Sequence, residues 1–181
     1  MRPFSVNTPW LWVLGAILVY VLLFFAFYPP FYASWDEHQI LDLAVGLWNG
    51  TPFQEDVGYA CLNTQTNQGY FPHTFFGRPL SLLPFVGFGL GAVFLSGLFI
   101  HLANLGLLAL LFRKFLIDTR WLILYLFFPA FMWASRTLFA ELLTASFILA
   151  AFYFYDSSSL RGRVLAGFAC GLAFLTRFDS L

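Results

Sequence analysis

Charged side chains are scarce. Lys, Arg, Asp and Glu make up 10% of the 181 residues, against 60% hydrophobic and 22% aromatic. Ordinary soluble domains carry about 25% charged residues, so this chain has too little charge to coat a water-soluble globule, and its composition is that of a membrane protein. Lys and Arg together number nine, as do Asp and Glu. There is neither a basic run nor an acidic tail, which removes the electrostatic footprint of a nucleic-acid binder. Cysteine is nearly missing as well: Cys61 lies in a polar segment and Cys170 in an apolar one, so metal-ligand spacings and a disulfide framework are both absent and the two thiols read as structural. Any chemistry must rest on few polar residues.

What the sequence has is long apolar runs. About 20 residues cross the roughly 30 Å of hydrocarbon in a bilayer, and on that scale the chain is expected to form one all-α membrane domain over 1–181, with about five spans near 9–33, 91–112, 121–133, 138–155 and 164–181. The first run is too long for a secretory signal and lacks an A-x-A cleavage site, so it is expected to stay as an anchor. Pro79, Pro84, Gly87, Gly89 and Gly91 break the next apolar run, so its front part is expected to be a short interfacial or re-entrant helix. The third span is short and interrupted by Pro129. The fifth is still apolar at Leu181, from which a chain continuing beyond it is expected.

Arg2, Arg113, Lys114, Arg120, Arg161 and Arg163 fall on one side of these spans and Arg78 and Arg136 on the other, which makes the N-terminus cytoplasmic. The 34–78 loop and the turn from Ser135 to Glu141 then share the external or lumenal face. Trp10, Trp12, Tyr28, Tyr32, Trp35, Trp121, Trp133, Tyr153 and Tyr155 fall at span ends, as an interfacial belt would. Gly87-x3-Gly91 and Gly167-x3-Gly171 have the spacing of close helix packing. Asn49-Gly50-Thr51-Pro52 and Asn67-Gln68-Gly69 read as turns in the loop.

Four polar groups stand out. Asp36-Glu37 opens a run to Trp48 in which Ile40, Leu43, Ala44 and Leu47 share one helical face, so an amphipathic helix on the bilayer surface is expected. Ser34-x-x-Glu37 also fits a capping box, which weighs evenly against a catalytic carboxylate. His73 and Arg78 precede the broken apolar run, where Arg78 could equally anchor at lipid phosphates. Arg136 and Glu141 flank the outer turn, and a surface ion pair would account for them. Arg177 and Asp179 sit in the fifth span, where a bare arginine costs about 2.5–3.5 kcal/mol on insertion scales and must face protein, water or phosphate. An ion pair of Arg177 with Asp179 or Glu141 is the plain alternative. His101 and Asn104 share a face of the second span and read as interhelical hydrogen-bonding residues.

The order of these pieces can be named. An anchor, Asp36-Glu37 heading an external helix, Gly77-Arg78-Pro79-Leu80, then Arg136-Thr137-Leu138-Phe139-Ala140-Glu141-Leu142-Leu143, then Gly171-Leu172-Ala173-Phe174-Leu175-Thr176-Arg177-Phe178-Asp179-Ser180 resembles the GT-C superfamily of polytopic glycosyltransferases. Many members carry Arg-Pro where this chain has Arg177-Phe178. The resemblance implies an inverting transfer of a mannose-like hexose from a polyprenyl- or dolichyl-phosphate donor to an acceptor hydroxyl on a glycan, lipid or protein. It places the protein in a prokaryotic plasma membrane or the endoplasmic reticulum membrane. The family's shared module is longer, so this chain alone is expected to be inactive.

The residues suit that chemistry, because a departing phosphate needs no protonation at neutral pH and one base plus a cation suffice. Asp36 is expected as the base, and Glu37 as the group orienting the acceptor or a metal. Arg78, His73 and Arg177 are expected at the donor phosphate, with Arg136, Glu141 and Asp179 in support. Carboxylates and phosphate together could hold Mg2+ or Mn2+, but no dense acidic ligand set is visible and the metal stays unassigned. The competing expectation is a non-catalytic membrane protein, a lipid-linked sugar flippase or a subunit of a complex, in which Asp36 and Glu37 are caps and Arg177 an ion pair.

Overall fold

The structure, a computed structural model, describes residues 8–28, 35–51, 63–66, 69–72, 76–155 and 159–177. His73, Asp179 and Cys61 lie outside the described residues. The described chain is helical apart from one hairpin. Helix α1 (Thr8–Ala26) is followed by α2 (Trp35–Trp48), then by strands β1 (Asn63–Thr66) and β2 (Gly69–Pro72). The strands pair antiparallel, with Asn63 opposite Pro72 and Thr66 opposite Gly69. The architecture is helical as expected, and the hairpin is a local addition in the loop: the Asn67-Gln68-Gly69 turn signal falls between two short runs holding Thr64, Thr66, Tyr70 and Phe71, residue types that favour strands.

Helix α3 (Gly77–Val86) is the expected short helix, and Gly89, at φ 97°, turns the chain into α4 (Leu90–Val93) and α5 (Leu95–Lys114). Only glycine takes that φ without strain. Together Leu90–Lys114 is 25 residues with mean hydropathy 2.0, the one helix among the described residues long and apolar enough to cross a membrane. The other expected spans are shorter. α1 stops at Ala26, α8 (Glu141–Tyr155) has 15 residues and α9 (Leu160–Thr176) has 17. The third is cut in two: after a 3-10 turn (Thr119–Trp121), α6 (Leu122–Phe127) and α7 (Pro129–Ala134) meet at Phe128, whose ψ of 123° is extended because a residue before proline avoids the helical region.

Two clusters hold the helices together. Val13, Tyr20 and Phe24 of α1 pack against Leu98 and Leu105 of α5 and Leu122 and Leu126 of α6. Ile40, Leu41 and Ala44 of α2 pack against Leu82 of α3, Val93, Phe94 and Leu138. Each fully buried Leu or Ile contributes about 1.5–3 kcal/mol. The apolar face of α2 therefore covers protein, whereas the amphipathic pattern alone suggested that it would lie on lipid.

Several polar residues inside this apolar frame are bonded, as desolvation favours, although His101 Nδ1, Asn104 Oδ1 and the Tyr125 hydroxyl have no hydrogen-bond partner among the described residues. His101 Nε2 lies 3.4 Å from the Leu126 carbonyl, and Asn104 Nδ2 donates to the Leu142 carbonyl at 2.8 Å, which are the expected interhelical contacts. The Tyr20 hydroxyl donates to Ser135 Oγ at 2.5 Å, and Ser135 passes its own proton to the Met132 carbonyl. Of the G-x3-G glycines only Gly87 is approached closely, by the Trp48 ring, whereas Gly91, Gly167 and Gly171 have open space where a Cβ would stand. Gly97 abuts the Ser135 backbone, and Gly77 abuts the backbone of Leu175 and Thr176. In both places a methyl group would overlap main chain that cannot yield.

Candidate functional site

Four elements deliver charged residues to one end of the helices. α8 and α9 form an antiparallel pair, joined near that end by Thr144 and Thr176, whose Oγ1 atoms are 2.7 Å apart. Thr176 spends its proton on the Ala173 carbonyl, so Thr144 is the donor between them. Gly77, lying against Thr176, brings the start of α3 to the same place. The apolar face of α2 closes over α3 and Leu138. Glu37, Arg78, Glu141 and Arg177 thereby meet around the turn that precedes α8.

At the centre is the backbone of Leu138. Its N–H donates to Glu37 Oε1 at 2.7 Å, and its carbonyl accepts from Arg78 Nε at 2.9 Å. One peptide segment is thus gripped from both polar sides by opposite charges on different helices. Arg78 also donates through NH2 to Ser96 Oγ at 3.1 Å and through NH1 to Ser81 Oγ at 3.4 Å, while Ser81 donates to the Arg78 carbonyl. Glu37 is fully buried and Arg78 is 1% exposed. Burial lowers the Arg78 guanidinium to about 10, and the Glu141 and Glu37 carboxylates counter that loss, so Arg78 remains a cation at neutral pH.

Arg78, expected at the donor phosphate, is therefore enclosed by protein, and Glu37, expected to orient the acceptor or a metal, has a carboxylate oxygen committed to the Leu138 amide. Asp36, one residue earlier and about 100° further round the helix, is exposed, and its carboxylate has no partner among the described residues. The signal separating the two acids is present in the sequence: Glu37, Ile40, Leu41 and Ala44 form one i, i+3, i+4, i+7 stripe.

Arg177 was expected inside the fifth span. It instead caps α9 with extended backbone, φ −162° and ψ 122°, and its NH1 meets Glu141 Oε1 at 2.5 Å. The side chains of this pair are 41% and 48% exposed, so solvent reaches both partners. Arg136 does not pair with Glu141. Its guanidinium donates to the Phe27 carbonyl and lies over the Phe27 ring, holding the chain that leaves α1. The Tyr28 hydroxyl then bonds the Gly91 carbonyl, tying α1 to the start of the long helix.

The described carboxylates do not fit the Mg2+ or Mn2+ considered from sequence. Among the described residues no group of three or more His, Cys, Asp or Glu side chains is placed to hold a metal ion. What the arrangement offers is an exposed carboxylate, Asp36, on a helix fixed by a buried carboxylate, at the same end of the helices as a half-exposed arginine, Arg177, that is ion-paired with Glu141. Compared with known proteins, the chain matches no family model, no curated protein and no solved structure.

Proposed function

We propose that the chain is a polytopic membrane glycosyltransferase module that takes a sugar from a polyprenyl- or dolichyl-phosphate donor and passes it, with inversion, to an acceptor hydroxyl on the external or lumenal face. The observation that supports this reading is the convergence of α2, α3, the turn before α8 and the end of α9 on one polar end, where Asp36 is exposed beside the locked Glu37 and Arg78. In the proposed reaction Asp36 accepts the acceptor hydroxyl proton as the oxygen attacks the anomeric carbon. The sugar–phosphate bond breaks, and the electron pair leaves on the polyprenyl phosphate. Arg177 turns from Glu141 to that phosphate, because a guanidinium pairs bidentately with phosphate and a half-exposed ion pair holds it weakly. Glu37 and Arg78 are positioning residues that fix α2 against the Leu138 turn.

The test is Asp36→Asn in membranes containing the full-length protein and a polyprenyl-phosphate-linked mannose. Asn caps a helix about as well as Asp but cannot accept the proton, so folding survives and transfer drops by about two to four orders of magnitude, the worth of a positioned base. Asp118→Asn, at the far end of the helices, leaves transfer unchanged. Transfer at the parent rate by a folded Asp36→Asn protein would overturn the assignment and favour the non-catalytic reading.

A further inference from the structure

The end of the helices opposite the polar cluster is built from the C-terminal turns of α5 and α8, the 3-10 turn and the first turn of α9. Its described charges are nearly all cations: Arg113, Lys114, Arg120, Arg161 and Arg163 against Asp118. Asp118 is engaged by Arg120, through a 2.8 Å ion pair and a 2.9 Å bond from the Arg120 backbone N–H, and these bonds hold its carboxyl below the usual range.

Between α5 and α8 runs a groove of about 610 Å3 lined by Leu110, Arg113, Lys114, Tyr153 and Phe154. Lys114 Nζ donates to the Tyr153 carbonyl at 2.9 Å and stands 5.2 Å from the Tyr153 ring centroid, so one ammonium is fixed on the groove wall. Arg113 is exposed and its guanidinium has no partner among the described residues. Among the described residues no acid lines the groove. The lining thus combines a guanidinium and an ammonium with the apolar surfaces of Leu110, Phe154 and the Tyr153 ring. That combination matches a molecule that carries both a phosphate and hydrocarbon.

Position selects among such molecules. The groove lies at the C-terminal end of Leu90–Lys114, the helix long enough to cross a bilayer, and headgroups sit where a spanning helix ends. Just beyond it, Phe115 is 56%, Leu116 93% and Ile117 43% exposed, an apolar run facing outward at the same level.

We propose that this groove binds the headgroup of an anionic phospholipid, with Arg113 bidentate on the phosphate, Lys114 as the second cation and Leu110 and Phe154 against the first methylenes of an acyl chain. The proposal rests on Leu90–Lys114 spanning the bilayer and is independent of sugar transfer. The experiment is native mass spectrometry of the full chain in neutral detergent, titrated separately with phosphatidylglycerol and phosphatidylcholine. Phosphatidylglycerol is expected to bind at least fivefold more tightly. Arg113→Gln should weaken it about fivefold, the worth of one basic residue at an anionic surface, while phosphatidylcholine binding stays the same and Arg113→Lys keeps most of the preference. Because Arg113 bonds to nothing among the described residues, its replacement leaves the helices intact, and the comparison of the two lipids needs no variant at all. Equal binding of the two lipids, or a preference that survives Arg113→Gln, would overturn the proposal. So would complete displacement of phosphatidylglycerol by an equal concentration of inorganic phosphate, which would make this a site for free phosphate.

Discussion

Arg78 and Arg113 occupy opposite ends of the helices and opposite environments. Arg78 is 1% exposed, with Nε on the Leu138 carbonyl and NH2 on Ser96. Arg113 is exposed, in the last turn of α5, with no partner among the described residues. At the first end positive charge is spent inside the protein, fixing a turn between helices. At the second the Arg113 guanidinium faces outward. The two ends also differ in their acids: Glu37 and Glu141 surround Arg78, whereas Asp118 is taken up by its own neighbour Arg120. A buried cation needs an opposing charge and satisfied donors to exist at all, so the polar end is the one where substitution reaches the fold.

The largest effect expected from that contrast is at Arg78. Arg78→Met leaves the Glu37 carboxylate buried without its cation and the Leu138 carbonyl without its donor, at a cost of about 3–5 kcal/mol. Thermal unfolding in detergent should show it as a large fall in Tm. Pairing it with Glu37→Gln should cost less than the sum of the two single changes, since the second removes the charge the first stranded. A full loss from each change, simply added, would mean that the two groups do not act together. The smaller effect is at Glu141. Glu141→Gln breaks the pair with Arg177, whose side chains are 48% and 41% exposed, and exposed pairs contribute about 0–1 kcal/mol. Unfolding should barely move, while losing the competing Glu141 carboxylate should tighten donor binding at Arg177, read as a lower KM in the transfer assay.

Much of this layout is legible in the sequence, for identifiable reasons. The α2 helix, the break at Gly87–Gly89, the interruption at Pro129 and the turn at Asn49-Gly50 all come from strong local signals. Gly50, at φ 71°, ends α2 with Thr51 N–H donating to the Gly46 carbonyl at 2.7 Å. The same closure ends α5, from Ile117 N–H to the Phe112 carbonyl, but with Leu116 at φ 56° in the position that favours glycine. No local rule would have placed a leucine there.

What the sequence conceals depends on distant partners. Glu37 looks like the second half of a capping box until Leu138 arrives to take its carboxylate oxygen. Arg136 and Glu141 lie at the same turn, yet Arg136 turns to Phe27 and Glu141 to Arg177. Gly77 and Gly97 fit no spacing motif. They are identified by the main chain of Thr176 and Ser135 standing where a Cβ would be. The β-hairpin was hidden by its four-residue strands, too short to show a repeat within a polar loop.

Sidedness is the claim on which the proposed transfer depends, since that proposal puts the polar end outside and the basic end on the cytoplasmic side. It can be measured with a membrane-impermeant maleimide on intact cells, in a Cys170→Ser background that leaves Cys61, between α2 and α3, as the external probe. A second protein carrying Cys61→Ser, Cys170→Ser and Arg161→Cys places the probe at the start of α9. The account predicts that Cys61 is labelled without permeabilisation and that the position-161 thiol is labelled only after it. Labelling of both from the same side would contradict it.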